Sequence, residues 1–276
     1  MAESADTVPG PTVSYRIRAV RPLAWVMAFL AAVPFFGLID MVALLDLDQP
    51  ASEWDVPLGV SWGSFFTVLL AGPFVWIALM PHRAWPAIVQ LGIASFALMI
   101  SSLAGLDGRP LWVAVPVAGS ALLFAWLTSG VAGRFPRSWS LHWPYLILAG
   151  AGLVMWIPYA LHALGMSRAR IDGDITLGIE HWPVQGAAGL ALAMCAVAMA
   201  MWAPGRPLLR LTVSVSATLI GVSMLDEPDR AGALGSQLWG TAMVIWGTAL
   251  ALPLPVRRSG RVDATHQDPN DPGQYK

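Results

Sequence analysis

The chain has 276 residues, 56% of them hydrophobic and 12% charged, with a formal net charge of −1 and one cysteine. Soluble domains carry about a quarter charged residues, so this composition, with a mean hydropathy of +0.61, argues against a soluble globular protein. The lone Cys195 lies in an apolar run, which excludes an intrachain disulfide, CxxC redox chemistry and a four-cysteine zinc site.

In chain order, residues 1–21 read as a disordered cytoplasmic tail. The first apolar run, 22–45, follows Arg16, Arg18 and Arg21 as a signal peptide would. It is too long for a signal core and lacks a clear small-residue cleavage site, so it is taken as an uncleaved first helix. Further spans are predicted at roughly 57–80, 86–105, 111–131, 144–166, 183–203, 208–225 and 236–254, the seventh being the shortest, and 255–276 reads as a second disordered tail. Lipid offers no partner to a bare backbone, and no ten-residue alternation of apolar and polar residues marks a barrel strand. The expected fold is therefore all-α: a polytopic integral membrane protein with eight transmembrane helices. Pro34, Pro73, Pro116 and Pro158 lie inside spans, where each removes a backbone donor.

Charge gives the orientation. With the N-terminus inside, twelve of the 16 basic residues fall on the cytoplasmic side, and no Asp or Glu occurs in a cytoplasmic loop, whereas Asp46, Asp48, Asp107, Asp172, Asp174, Glu180, Asp226 and Glu227 fall in outer loops. The positive-inside rule places both termini in the cytoplasm. The expected location is the bacterial cytoplasmic membrane.

A repeat is visible. Asp55-Val-Pro-Leu-Gly-Val-Ser-Trp62 opens the second span and Asp174-Ile-Thr-Leu-Gly-Ile-Glu-His-Trp182 the sixth, sharing D-[VI]-x-L-G-[VI] and a following Trp. Each follows a D-x-D pair and a proline-bearing span, and Leu111-Trp112 and Leu238-Trp239 open the fourth and eighth spans alike. The reading is a 4+4 parallel internal repeat, 22–131 and 132–254, related by an axis along the membrane normal.

Charge inside a span is costly, about 2.5–3.5 kcal/mol at mid-helix, so Asp40 in the first span is the leading candidate for a proton or cation site. His162 has a similar depth in the fifth span, four residues after Pro158, and under the repeat the two would face each other. Glu180 and His181 sit at the outer mouth of the sixth span, with Asp226 and Glu227 as outer candidates. His162, Glu180 and His181 are also candidate ligands for zinc or iron, or a proton relay. Asp46/Asp48 and Asp172/Asp174 are read as solvated acidic loops that enforce topology. No phosphate loop, H-E-x-x-H helix or G-x-S-x-G elbow occurs, no catalytic residue is assigned, and the dispersed arginines do not form a nucleic-acid patch.

The eight-helix plan, with a parallel four-plus-four repeat and both ends cytoplasmic, is similar to the haem A synthase family, whose histidines near the outer ends of even helices serve haem. His181 alone occupies such a place here. Ser61-Trp62, Leu111-Trp112 and Leu238-Trp239 stand at the other three, which removes bis-histidine ligation across helix pairs. The functional expectation is an outward polar pocket that binds or transports a small molecule or ion. The alternatives are a membrane-embedded metal-dependent or redox enzyme acting on a lipid, quinone or isoprenoid, and a non-catalytic subunit packing against a membrane-protein partner or a second copy.

Overall fold

The computed structural model describes residues 11–42, 44 and 55–252. Both expected tails, apart from 11–21, and the Asp46/Asp48 pair lie outside them. The described chain forms α1 (Pro11–Ala32), α2 (Gly37–Val42), α3 (Val56–Gly63), a π-helical segment (Ser64–Ala71), α4 (Gly72–Leu79), α5 (Trp85–Ala104), α6 (Leu111–Thr128), α7 (Trp143–Ala169), strands β1 (Ile175–Thr176) and β2 (Ile179–Glu180), α8 (His181–Met201), α9 (Arg206–Asp226) and α10 (Gln237–Ala251). Six helical runs are long and apolar enough to cross a membrane: Val56–Leu79, taken as one span, then α5, α6, α7, α8 and the run Ala203–Asp226. This is the makeup of a multi-pass helical membrane protein.

The first predicted span differs from expectation. The described helix runs from Pro11, within the expected tail, and Val20, Ala24, Ala28 and Ala31 form a buried stripe at helical spacing along it. It then stops at Ala32. Pro34 supplies no donor there, Phe36 turns left-handed at φ 57°, and the chain restarts as α2 at Gly37.

The 56–79 span, α5, α8 and α9 form the centre of the bundle. The span packs on α1, α2, α5, α8 and α9; α8 packs on α7, α5 and α9; α6 lies on α5, and α10 on α9 and α7. Small residues permit these contacts, since lipid supplies little hydrophobic drive between helices. At the α9–α10 crossing, a Cβ on Gly221 would come within 2.9 Å of Gly240 O. Polar bonds lock this pair and others: Ser214 Oγ donates to Gly247 O at 2.7 Å between α9 and α10, Ser95 Oγ to Ala114 O at 2.8 Å, and Trp246 Nε1 to Leu148 O at 2.7 Å.

The π-helical segment has a local cause. Gly72 N donates five residues back to Thr67 O, and the next residue, Pro73, has no N–H to give. Its missing donor would have served Val68 O in π register or Leu69 O in α register. Gln90 of α5, fully buried, places Nε2 on both carbonyls, at 3.3 and 3.2 Å, and its Oε1 accepts from Thr212 Oγ1 of α9 at 3.0 Å. One amide thus repairs the proline defect and ties three helices together.

Candidate functional site

Asp40 is positioned by the broken first helix. Helix α2 crosses α3 so closely that a Cβ on Gly63 would lie 2.6 Å from Gly37 O, and one on Gly59 would lie 3.9 Å from Asp40 Cβ. At Gly37 and Gly63 only glycine permits that approach, while Gly59 lies at ordinary contact distance. The crossing holds Asp40 over α3 with 7% of its surface exposed, and among the described residues its buried Oδ2 has no hydrogen-bond partner.

His181 arrives from the other half of the chain, as the first residue of α8. Its N–H donates to Asp174 O at 3.0 Å, its Nε2 pairs with Thr176 Oγ1 at 2.8 Å, and its ring stacks on Trp62 at 4.2 Å and 14°. Trp62 Nε1 donates to Phe35 O at 2.7 Å, and Phe66 joins Trp62 to Phe35 through contacts of 4.5 Å. A run of aromatic rings therefore connects the break in the first helix to the start of α8. His181 is 3% exposed, and its Nδ1 is buried with no partner. Whichever tautomer Thr176 selects, Nδ1 remains an unserved donor or acceptor.

Asp40 and His181 line one cavity of about 360 Å3, together with Phe36, Asp174 and three residues of the β1–β2 hairpin, Ile175, Thr176 and Leu177. No lysine or arginine is among these residues. Asp174, expected in a solvated loop, is partly buried. Desolvation raises its pKa, and the charge of Asp55 adds to the effect. Two lining residues, Phe36 at φ 57° and Leu177 at φ 52°, hold left-handed backbone without being glycine, a conformation costing about 1–2 kcal/mol each.

The other sequence candidates are elsewhere. Glu180 pairs with Arg109 at 2.6 Å, and Arg109 also holds Asp107 at 2.8 Å. The hydrogen bond to Asp107 and then that to Glu180 push the guanidinium pKa up, so Glu180 is already engaged. His162 does not face Asp40. It lines a separate cavity of about 430 Å3 with Met166, Asp229 and Arg230, its ring edge-on to Trp182 at 6.2 Å. Matching depth on two helices says nothing about their rotation, and α7 turns His162 toward the α9–α10 connection. Asp226 ends α9, exposed, and Glu227 caps it with N–H to Ser223 O at 3.0 Å; neither lines these two cavities. Among the described residues, no group of three His, Cys, Asp or Glu is arranged to hold a metal ion, so His162, Glu180 and His181 are not assembled as one ligand set.

Sequence reasoning missed Asp174, Thr176, Phe36 and Trp62 as site residues. The repeated motif was the signal for two of them: Trp62 of its first copy stacks on His181 of its second, and Asp55 and Asp174, which open the two copies, interact electrostatically. Beneath them, Ser61 and Tyr159 share a buried hydrogen bond, and Gln185 Nε2 donates to Gly232 O at 2.6 Å.

The fold and this cavity define a multi-pass helical membrane protein with an acidic, partly enclosed cavity at one end of its bundle. No protein-family model, curated protein or solved structure matches the chain.

Proposed function

We propose that the chain binds a small, positively charged molecule or ion in the Asp40–His181 cavity from the extracytoplasmic side of a bacterial cytoplasmic membrane, and moves it with exchange of a proton. The observation that carries this reading is that Asp40 Oδ2 and His181 Nδ1, both buried and both without hydrogen-bond partners among the described residues, line the same cavity. A buried carboxylate without a partner is stable either protonated or against a cation. With Asp174 beside it and no basic side chain in the wall, a bound cation and a bound proton are natural competitors for the same carboxylate.

Eight spans in two parallel halves, with both termini cytoplasmic, are part of the proposal. The pairing of helices supports it. The first helix lies against the second span as α7 lies against α8, α5 against α6 as α9 against α10, α5 against α8 as the second span against α9, and α1 against α6 as α7 against α10. The cavity then sits where the two halves meet at their outer ends, as transporter sites do at repeat interfaces.

The test is flux in proteoliposomes loaded with a pH dye and challenged with a panel of monovalent metal and organic ammonium cations. A cation-driven pH change that disappears in Asp40→Asn, in protein that still folds, is expected. Equal flux in Asp40→Asn, His181→Gln and the parent would refute the reading. Stoichiometric zinc or iron that is lost in His181→Ala would favour the metal-dependent alternative instead.

A further inference from the structure

Two apolar grooves indent the sides of the bundle and run toward the end opposite the Asp40 cavity. The larger, about 670 Å3, has Trp25 and Phe29 of α1 as one wall, Val75 and Trp76 of α4 in its floor, and Leu211 of α9 as its far wall. The smaller, about 460 Å3, has Leu153 and Ile157 of α7 as one wall, Met194 and Val197 of α8 in its floor, and Ile93 of α5 as its far wall. Counted by spans, the two are built alike: a proline-bearing helix, the next span in the chain, and the third span of the other half.

Both grooves face lipid. Phe29 is 59% exposed, Leu211 59% and Leu153 38%. Both also carry arginine at the mouth. In the first, Trp76 Nε1 donates to the backbone carbonyl of Arg83 at 2.8 Å, which fixes the Arg83 backbone beside the groove, and Arg21 and Arg18 stand four and seven residues before Trp25 on the same exposed face of α1. In the second, Trp139 and Met201 line the end. Arg206 binds Ser140 and donates to Met199 O at 3.1 Å, while Arg137 is exposed two residues before Trp139. The connections at these mouths, 80–84, 129–142 and 202–205, contain no Asp or Glu.

We propose that the two grooves are paired seats for anionic phospholipid, one acyl chain lying along α4 or α8 and the phosphate held among the arginines and the boundary tryptophans. A hydrocarbon chain fills an apolar groove that opens onto the bilayer, and a headgroup phosphate complements a mouth that holds guanidinium groups and no carboxylates. The pairing follows from helix packing and is independent of which face of the membrane the mouths occupy and of what the Asp40 cavity binds.

Native mass spectrometry of the detergent-solubilised full chain, after exchange into defined phosphatidylglycerol or phosphatidylcholine, tests this. Two retained phosphatidylglycerols, preferred by roughly tenfold per seat, are expected. Val75→Phe in the first groove and Ala198→Phe, at a residue lining the second, each remove one, and Arg21→Gln with Arg83→Gln abolishes the preference at the first seat. Equal retention of the two lipids by the unmodified protein overturns the proposal without reference to any variant. Retention unchanged by both groove-filling substitutions, in protein that elutes and melts as the parent does, overturns it as well.

Discussion

Replacing Gln90 with leucine isolates the repair of the proline defect. Leucine is close in volume, so the substitution chiefly removes the Nε2 bonds to Val68 O and Leu69 O and the bond from Thr212. Polar contacts between membrane helices average about 0.6 kcal/mol and reach about 1.7. Two such contacts, one of them serving carbonyls that Pro73 leaves without a donor, give an expected loss of about 1–3 kcal/mol in equilibrium unfolding in mixed micelles. Pro73→Ala restores the missing N–H. In that background the register relaxes toward a regular α-helix, the carbonyls regain a partner within the helix, and Gln90→Leu then costs about 1 kcal/mol less. Thr212→Val made together with Gln90→Leu adds little to the loss, because both sever the same bond. An undiminished cost of Gln90→Leu in the Pro73→Ala background would refute the link between proline and amide, and a neutral Gln90→Leu would refute the bond's contribution altogether.

Other substitutions probe the neighbourhood of the cavity. Gly232 holds φ 92°, and a Cβ there would lie 2.4 Å from Leu58 N, so Gly232→Ala should cost on the order of 3 kcal/mol from backbone strain and overpacking, read as a lowered unfolding midpoint; a midpoint within error of the parent would contradict the geometry. Asp174 has its pKa raised above the ordinary 3.8 by burial first and by Asp55 second, and Asp40 also senses its charge. The folded state therefore holds the Asp174 proton more tightly than the unfolded one. Its contribution to stability is present at low pH and lost as pH climbs from 3.8 through the raised pKa; Asp174→Asn flattens that decline in a melting series against pH, and an unchanged slope would count against it. In the β1–β2 hairpin, Leu177 and Gly178 both have positive φ, 52° and 78°, the pattern of a type I′ turn, which favours Asn first. Leu177→Asn should raise stability by roughly 1 kcal/mol, and a lowered melting temperature would show that Leu177 contributes more through packing than it costs in strain.

Much of this architecture was legible because lipid makes the rules severe. Among the described residues, apolar runs mark the six helices of spanning length to within one to five residues, closest at 57–80 against Val56–Leu79 and 86–105 against Trp85–Ala104, furthest at 208–225 against Ala203–Asp226. The cost of charge in a span singled out Asp40, the helix-end reading singled out His181, and the repeated D-[VI]-x-L-G element marked the two segments that meet. Rotation about each helix axis was not legible. His162 was expected at Asp40's depth, yet its direction depends on how α7 is turned against α8, and that follows from contacts such as Tyr159 and Ala160 against Gly189, which nothing in the spacing of Asp40 and His162 reveals. Pro34 and Pro73 both announced a lost donor, but the sequence near them does not tell their fates apart. At Pro73 the donor comes from Gln90 on the next span, and the helix continues through a widened segment. At Pro34 the helix stops and turns left-handed at Phe36.

The two left-handed residues bear on why the cavity exists at all. Phe36 ends the break that lets α2 descend onto Gly59 and Gly63, and Leu177 closes the hairpin that carries Thr176 to His181. Each costs about 1–2 kcal/mol, yet each holds part of the wall in place. Without the first, an unbroken helix would not present Asp40 over α3 at the Gly37–Gly63 crossing. Without the second, His181 Nε2 would lose its partner, and both ring nitrogens would be unserved. Strain that persists is overdetermined by its surroundings; here the surroundings are the aromatic run from Phe35 to His181 and the glycine crossing of α2 on α3. These contacts fix one carboxylate oxygen and one imidazole nitrogen, neither partnered among the described residues, against one small cavity, an arrangement that lowers the stability of the empty protein and that a bound cation or proton would relieve.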